Sequence, residues 1–313
     1  MSSLIEQAAH RLEQLRRAGV SVPGAAPVEA PPAARAPSAG AATAATPQPR
    51  LQAEAPARTS QQVTLDLEAL GAARIVTPNA QRSRAADQYR LIKRPLIANV
   101  KGKNTASLNH GNLIMVTSAL VGEGKSFTSI NLAMSIAAEL DNTVMLVDAD
   151  VARPSVLRML GLPAGPGLLD LLEGHTDMSS VLLRTNIDKL TILPSGTPHS
   201  QATELLASDA MRALLDDMAR RYPDRIIIFD SPPLLLTTEA QVLATQMGQV
   251  VMVVQADKTL QSDVQHALST IKACSHIHLL LNKARGHSAG GYSRGFGYGY
   301  GYGYGTRDGT QAT

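Results

Sequence analysis

Short runs of consecutive apolar residues recur from the middle of the chain onward, and longer stretches with helical spacing separate them. Six runs are predicted to be buried strands, at residues 113–117, 144–147, 190–193, 226–229, 250–254 and 277–281. Helices are predicted at residues 127–140, 208–222, 239–247 and 260–274. Because buried strands alternate with helices, we predict an α/β fold with a parallel sheet and helices on both faces.

The flanking segments have different patterns. Residues 1–20 are predicted to form an amphipathic helix for docking or self-association, with a frayed tail as an equal alternative. Residues 21–62 are rich in Ala and Pro and are expected to form a disordered linker, because they bury too little surface to offset the entropy of ordering. The folded domain is expected at residues 63–285, and residues 286–313 are expected to form a disordered Gly/Tyr-rich tail.

Composition narrows the class of protein. A net charge of +3 is small for 313 residues, so electrostatics does not demand a nucleic-acid partner. The single cysteine, Cys274, excludes an internal disulfide and suits a reducing cytoplasm. The sequence has no apolar run long enough to span a membrane, and residues 1–20 lack the apolar core of a signal peptide. We therefore expect a cytoplasmic protein.

A basic stretch is predicted to be helical across residues 82–100. Its one acid is Asp87, and its basic residues are Arg82, Arg84, Arg90, Lys93 and Arg94. Such a run is usually a solvated face, and an oligomer contact or a patch for anionic lipids are the alternatives.

Residues 113–132, LIMVTSALVGEGKSFTSINL, join the first predicted strand to the first predicted helix after it. A strand, a Gly-rich loop, Lys-Ser and a helix form a phosphate-binding loop. Gly122 and Gly124 let the backbone wrap an anion, and the N–H groups of the first helical turn point at it. We expect Lys125 to reach the β- and γ-phosphates and Ser126 to bind Mg²⁺. Ala119 stands where the usual pattern has its first glycine.

Carboxylates follow two of the predicted strands, at the end where parallel sheets bind ligands. Asp148 and Asp150 alternate after the second strand and therefore share a face, and Asp230 ends the fourth strand. Neighbouring carboxylates repel unless a cation lies between them. Mg²⁺ and the nearby Arg153 are expected to supply that positive charge.

These motifs resemble the three ATP motifs of bacterial tyrosine autokinases: GEGKS at 122–126, Asp148-x-Asp150-x-x-Arg153, and an apolar strand followed by Asp230-Ser-Pro-Pro. The resemblance covers roughly residues 82–285, adds the tyrosine-rich tail, and is greatest to the kinases that accompany exosortase-type exopolysaccharide systems. It implies a P-loop NTPase fold of the deviant Walker type, like MinD and ParA. It also implies that the chain uses ATP and Mg²⁺, phosphorylates its own tail tyrosines in trans, and regulates exopolysaccharide biosynthesis, export and chain length.

The resemblance implies roles for single residues. Catalytic roles fall on Lys125, Asp148, Asp150 and Asp230, with Asp150 as the base for the tyrosine hydroxyl. Metal binding falls on Ser126, Asp148 and Asp230. Nucleotide contacts fall on Gly122, Glu123, Gly124, Lys125, Ser126, Phe127, Arg153 and Asn282. The phosphoacceptors are Tyr292, Tyr298, Tyr300, Tyr302 and Tyr304.

Partners are implied as well. An inner-membrane polysaccharide co-polymerase or chain-length determinant would activate the kinase and hold it peripherally at the inner membrane. A homo-oligomer such as a ring and a cognate tyrosine phosphatase are also expected, and no nucleic acid. The family's oligomerisation motif, Glu-x-x-Arg-x-x-Arg, corresponds to Asp87, Arg90 and Lys93.

Two other functions stay open. A partitioning or positioning ATPase of the same superfamily would act as an assembly switch; such proteins carry an extra lysine near the start of the loop, where this chain has Leu120, and they lack a tyrosine cluster. A structural ATP-binding scaffold is the second alternative. Intact Lys125, Asp148 and Asp150 argue against it.

Overall fold

The computed structural model describes residues 60–78, 83–102, 109–222, 224–274 and 276–284. These residues form one eight-stranded sheet, in the order β1-β4-β5-β3-β6-β2-β7-β8, in which β4 and β5 pair antiparallel and all other neighbours are parallel. The strands are β1 (Gln61–Val63), β2 (Leu113–Ser118), β3 (Thr143–Asp148), β4 (Leu183–Thr185), β5 (Leu190–Leu193), β6 (Arg225–Asp230), β7 (Gln249–Gln255) and β8 (Ile277–Asn282).

Ten helices cover the two faces of the sheet in the described part of the chain. They are α1 (Leu67–Ala72), α2 (Arg84–Val100), α3 (Lys125–Ala137), α4 (Val156–Met159), α5 (Leu168–Leu172), α6 (Met178–Val181), α7 (Ala202–Leu206), α8 (Asp209–Arg221), α9 (Thr238–Thr245) and α10 (Gln261–Thr270). Within these described ranges, no helix combines the length and the apolar character needed to cross a membrane.

The central strands are apolar throughout because helices cover them on both faces. Every residue of β2 is buried, as are five of the six residues of β3 and of β6 and the first five of the seven residues of β7. Alternate side chains enter two hydrophobic clusters: Met115 and Phe229 pack on the side of α8 and α9, whereas Ile114 and Leu146 pack on the side of α2 and α3. The sheet is therefore the middle layer of three.

Helix α2 is held against the sheet by buried polar contacts as well as by apolar packing. The Asn99 amide donates to Gln249 Oε1 at 2.9 Å, and Gln249 Nε2 donates in turn to the carbonyls of Leu96 and Gly111. Tyr89 and Leu96 enter the hydrophobic cluster on that face. These contacts fix the helix next to β7 and β8.

The predicted α/β fold is confirmed, and each of the six predicted strands is present with ends that differ by at most one residue. The helix predicted at 127–140 begins earlier, at Lys125, and ends at Ala137, while the one predicted at 260–274 ends at Thr270. Strands β1 and β4 were not predicted, because each has only three residues and includes polar ones. Strand β1 begins within the segment predicted to be a linker.

Candidate functional site

The carboxyl ends of β2, β3, β6, β7 and β8 bring the predicted site residues together. Strand β2 leads into a loop that ends at Gly124, the residue before α3. Gly122 and Gly124 have φ of +80° and +101°, which glycine adopts without strain. A Cβ on Gly124 would overlap the Asn282 amide. The loop therefore needs glycine at 124 for its backbone conformation and for the close approach of β8.

Glu123 shapes this loop through its side chain. Its carboxylate is buried and accepts hydrogen bonds from the Leu120 N–H at 2.7 Å, from the Gln255 N–H at 3.3 Å, and from the Thr259 hydroxyl. These contacts tie the phosphate-binding loop to the end of β7. Because the Glu123 side chain is committed to the loop, any nucleotide contact of this residue would have to come from its backbone.

Lys125 and Asp150, two of the predicted catalytic residues, form an ion pair. The distance from Lys125 Nζ to Asp150 Oδ2 is 2.6 Å, and both side chains are largely buried. The other oxygen of Asp150 accepts the Arg153 N–H at 3.2 Å, while the Arg153 side chain is exposed. Lys125 Nζ also lies 3.4 Å from Ser126 Oγ. The arrangement places a cation, a carboxylate and a hydroxyl at the start of α3.

Asp148 and Asp230 end the neighbouring strands β3 and β6 and are register partners. Asp148 Oδ2 accepts the N–H groups of Ser155 and Val156, each at 3.0 Å, and Asp230 Oδ1 accepts the Ser129 hydroxyl at 3.1 Å. The second oxygen of each carboxylate is buried and has no hydrogen-bond partner among the described residues. Both groups are therefore only half satisfied.

Burial changes the acidity of these two carboxyls. It raises the pKa of Asp148 to about 7, with the nearby charge of Asp230 adding to the effect. It raises the pKa of Asp230 to about 6, against the opposing influence of the Lys125 charge. Buried carboxyls with raised pKa values favour a bound cation, which would replace the missing solvation.

The donor set fits a divalent cation that is completed by other ligands. Within the described ranges, no group of three or more His, Cys, Asp or Glu side chains could hold a metal ion by itself. Mg²⁺ typically takes one or two carboxylates and fills its remaining positions with waters and substrate phosphates. The unpartnered oxygens of Asp148 and Asp230, with Ser126 Oγ nearby at the start of α3, match that requirement.

The remaining predicted nucleotide contacts lie at the end of β8 and at α3. The Asn282 amide donates to the Glu123 carbonyl at 2.8 Å, so it supports the loop directly. Phe127 is half-buried at the start of α3. Lys283 was not predicted: its Nζ donates to the Gly122 carbonyl at 2.6 Å. Its position directly after the last parallel strand is the signal that could have identified it. The predicted phosphoacceptors, Tyr292, Tyr298, Tyr300, Tyr302 and Tyr304, lie outside the described residues.

The predicted oligomerisation motif is divided between surface and interior. Asp87 and Arg90 are exposed and pair with each other at 2.8 Å. Lys93 is only 5% exposed: its Nζ lies 2.6 Å from Glu139 Oε1 and donates to the Ser135 carbonyl near the end of α3. The interpretation of the whole basic run as a solvated face is therefore wrong for Lys93, which serves the packing of α2 on α3.

Comparison with known proteins agrees with this geometry. Residues 111–283 match the family model described as AAA domain. The tyrosine-protein kinase YwqD of Bacillus subtilis (strain 168) is 32% identical over 183 residues, a match that covers 57% of this chain and 76% of that protein. EpsB of Ralstonia nicotianae is 31% identical over 201 residues, which cover 61% of this chain but 26% of the much longer relative.

Comparison with solved structures also finds a kinase domain. The VpsO kinase domain superposes with a TM-score of 0.54 at 27% identity, and the match covers 64% of this chain and 96% of that domain. The matched region contains the phosphate-binding loop, the paired carboxylates and the sheet that positions them. The chain therefore belongs to the family of bacterial tyrosine-protein kinases built on an AAA domain.

Proposed function

We propose that this chain is an ATP-dependent protein-tyrosine kinase that phosphorylates the tyrosine cluster of its own tail in trans. The observation that carries the proposal is the Lys125–Asp150 pair at 2.6 Å, placed at a phosphate-binding loop beside two half-satisfied carboxylates. The kinase relatives named above match across this region. The tail follows shortly after β8, whose end contacts the loop.

Each residue of the site has a distinct task in this reaction. Lys125 carries three N–H donors, so its ammonium group can transfer from Asp150 to the phosphates of ATP. That transfer frees Asp150 Oδ2 to accept the proton of the tyrosine hydroxyl, whose oxygen attacks the γ-phosphorus as the bond to ADP breaks. When bound, Mg²⁺ neutralises charge on the phosphates, and Ser126, Asp148 and Asp230 would hold it or its waters.

A positioning or assembly ATPase remains the rival function. It would use the same loop and carboxylates to hydrolyse ATP and would form no phosphotyrosine. Leu120 occupies the position of the extra lysine of such ATPases and is partly exposed at the loop. The tail, with Tyr298, Tyr300, Tyr302 and Tyr304 in alternation, gives a kinase an acceptor that an assembly switch does not need.

We also propose a cellular role for the kinase. The kinase would regulate exopolysaccharide export, be activated by an inner-membrane co-polymerase that holds it at the membrane, and be reset by a tyrosine phosphatase. Residues 1–20 and the basic residues of α2, Arg84, Arg90 and Arg94, are candidate contacts for that activator. We assign the kinase domain to the predicted residues 63–285 together with the start of β1, and the acceptor tail to 286–313. The linker is then the part of the predicted segment 21–62 that precedes β1.

The proposal is tested by mixing chains. Purified Lys125→Met chain should gain phosphotyrosine only when wild-type chain, ATP and Mg²⁺ are present. Asp150→Asn should make no phosphotyrosine by itself, whereas the matched control Asp209→Asn, at an exposed carboxylate, should retain wild-type activity. Phosphosite mapping by mass spectrometry reads out both experiments. Wild-type activity in Asp150→Asn would refute its assignment as the base.

A further inference from the structure

A groove runs between α2 and β8. It is a cavity of about 520 Å³, within the size range of ligand sites, and its lining is mainly apolar. Its lining includes Leu91, Ile92 and Pro95 on the side of α2, and Leu280 and Ala284 on the side of β8. An apolar groove of this size on a surface indicates a binding site.

Strand β8 forms one wall of the groove and is the last strand of the sheet. It pairs with β7, and its outer edge has no strand partner in the part of the chain that the structure describes. Leu279 and Leu281 on this strand are 59% and 66% exposed. The unpaired N–H and C=O groups of an edge strand are a template for a further strand. A helix beside a free strand edge can therefore accept an extended peptide, with main-chain hydrogen bonds on one side and apolar contacts on the other.

The tail has the pattern that such a site accepts. Residues 295–305 read GFGYGYGYGYG, in strict alternation. In an extended strand alternate side chains share one face. Phe296 and the tyrosines at 298, 300, 302 and 304 would therefore form one continuous aromatic face, and the glycines would leave the other face bare. No other stretch of the chain alternates an aromatic residue with glycine in this way.

The tail also begins next to the groove. Ala284, the last residue described before it, lines the groove. Residues 285–294 separate Ala284 from the alternating segment and include three glycines. Ten extended residues span roughly 30 Å, which is ample for the chain to reverse direction and return along β8. The returning segment would then run antiparallel to that strand.

We propose that residues 295–305 of the same chain add to the outer edge of β8 as an antiparallel strand, with their aromatic side chains in the groove against α2. Resting on the proposed function, docking would withhold the acceptor tyrosines from a neighbouring active site. Each phosphate brings about −1.5 to −2 charges at neutral pH, which an apolar groove does not solvate. The phosphorylated tail would therefore stay out of the groove.

Hydrogen–deuterium exchange on the full chain tests the docking without any catalysis. The chain is treated with phosphatase and kept free of ATP. We expect the amides of residues 295–305 to exchange at least about tenfold more slowly than in a synthetic peptide of the same sequence. A scrambled tail of identical composition, with glycines and aromatics grouped rather than alternated, should lose this protection. Protection that survives the scramble would overturn the strand geometry.

The role of the groove is tested by the substitution Leu91→Asp. This change puts a charge into the groove lining at an exposed position and should leave the fold intact. It should remove tail protection, whereas Leu140→Asp, at an exposed leucine outside the groove, should not. Protection that declines on hundredfold dilution would contradict docking within one chain. A tail that exchanges like the free peptide in the wild-type chain would overturn the proposal, and would leave the kinase assignment intact if phosphotyrosine still forms.

Discussion

Asp230 at the end of β6 is completely buried, whereas Leu281 near the end of β8 is two-thirds exposed, although both strands belong to one sheet. At the centre of the sheet, apolar strands are covered on both faces and polar groups are held where the strands end. At the β8 edge, the apolar side chains of Leu279 and Leu281 are exposed to solvent. The centre therefore supplies a fixed scaffold for chemistry, whereas the edge has the exposed apolar surface that the proposed docking of the tail requires.

The two regions are connected through the phosphate-binding loop. Asn282 and Lys283 at the end of β8 donate to the carbonyls of Glu123 and Gly122. The Glu123 carboxylate contacts the end of β7. The end of β8 therefore contacts directly the loop that would bind phosphate, so a strand added at the β8 edge would lie next to residues that support this loop.

The difference in packing between centre and edge is expected to be largest at one pair of register partners, Met252 on β7 and Leu279 on β8. Met252→Ala should reduce the free energy of unfolding by about 2–5 kcal/mol, because it leaves a cavity in the core. Leu279→Ala should change it by less than about 0.5 kcal/mol, because this side chain is mostly solvated. Urea denaturation of both variants measures the contrast. Equal losses would contradict the solvated position of the Leu279 side chain.

Lys93 offers a second contrast, between two neighbouring residues of α2. Lys93→Met should reduce the free energy of unfolding by about 2–3 kcal/mol, less than the loss of a fully buried ion pair, because Glu139 keeps part of its solvation. Arg94→Met, at an exposed position on the same helix, should cost less than about 0.5 kcal/mol. Thermal unfolding of the two variants compares them. If Arg94→Met were the more harmful change, the assignment of Lys93 to the interior would be wrong.

Gly124 tests the connection between centre and edge. Gly124→Ala should cost on the order of 1–3 kcal/mol from the positive φ alone, and should also displace Asn282 and weaken nucleotide binding. Gly165→Ala is the matched control, since it has open space for a Cβ and no positive φ. Calorimetric titration with an ATP analogue and urea denaturation report the two effects. Normal nucleotide affinity in Gly124→Ala would contradict the described loop.

The raised pKa of Asp148 is expected to have a smaller effect on folding stability, confined to a limited pH range. Because its pKa is raised from 3.8 to about 7 in the folded chain, the native state holds a proton that the unfolded state has released between about pH 4 and 7. The stability of metal-free protein should therefore decrease as pH rises through this range. Asp148→Asn cannot titrate, so it should flatten the decrease and be more stable than wild type at pH 8, on the order of 1 kcal/mol. Denaturation in EDTA across pH measures this, and an unchanged slope would contradict it.

Sequence reasoning located the central strands and the residues at their ends, because burial on both faces leaves an unbroken apolar run and parallel strands share one ligand-binding end. It could not find roles that depend on distant partners. Glu123 contacts Thr259 only because the fold brings them together, and Lys93 is buried where it contacts Ser135 in α3 and Glu139 just after that helix. Strand β4 pairs with two separate strands, antiparallel with β5 and parallel with the distant β1. In each case the local pattern is compatible with a surface position.

The proposed kinase function is tested by mass spectrometry of the dephosphorylated full chain after incubation with ATP and Mg²⁺, with Lys125→Met treated alongside. We predict phosphotyrosine on residues between Tyr292 and Tyr304 in the wild-type chain and none in Lys125→Met alone. Hydrolysis of ATP without phosphotyrosine in the wild-type chain would contradict the proposed kinase function and would favour the rival assembly ATPase.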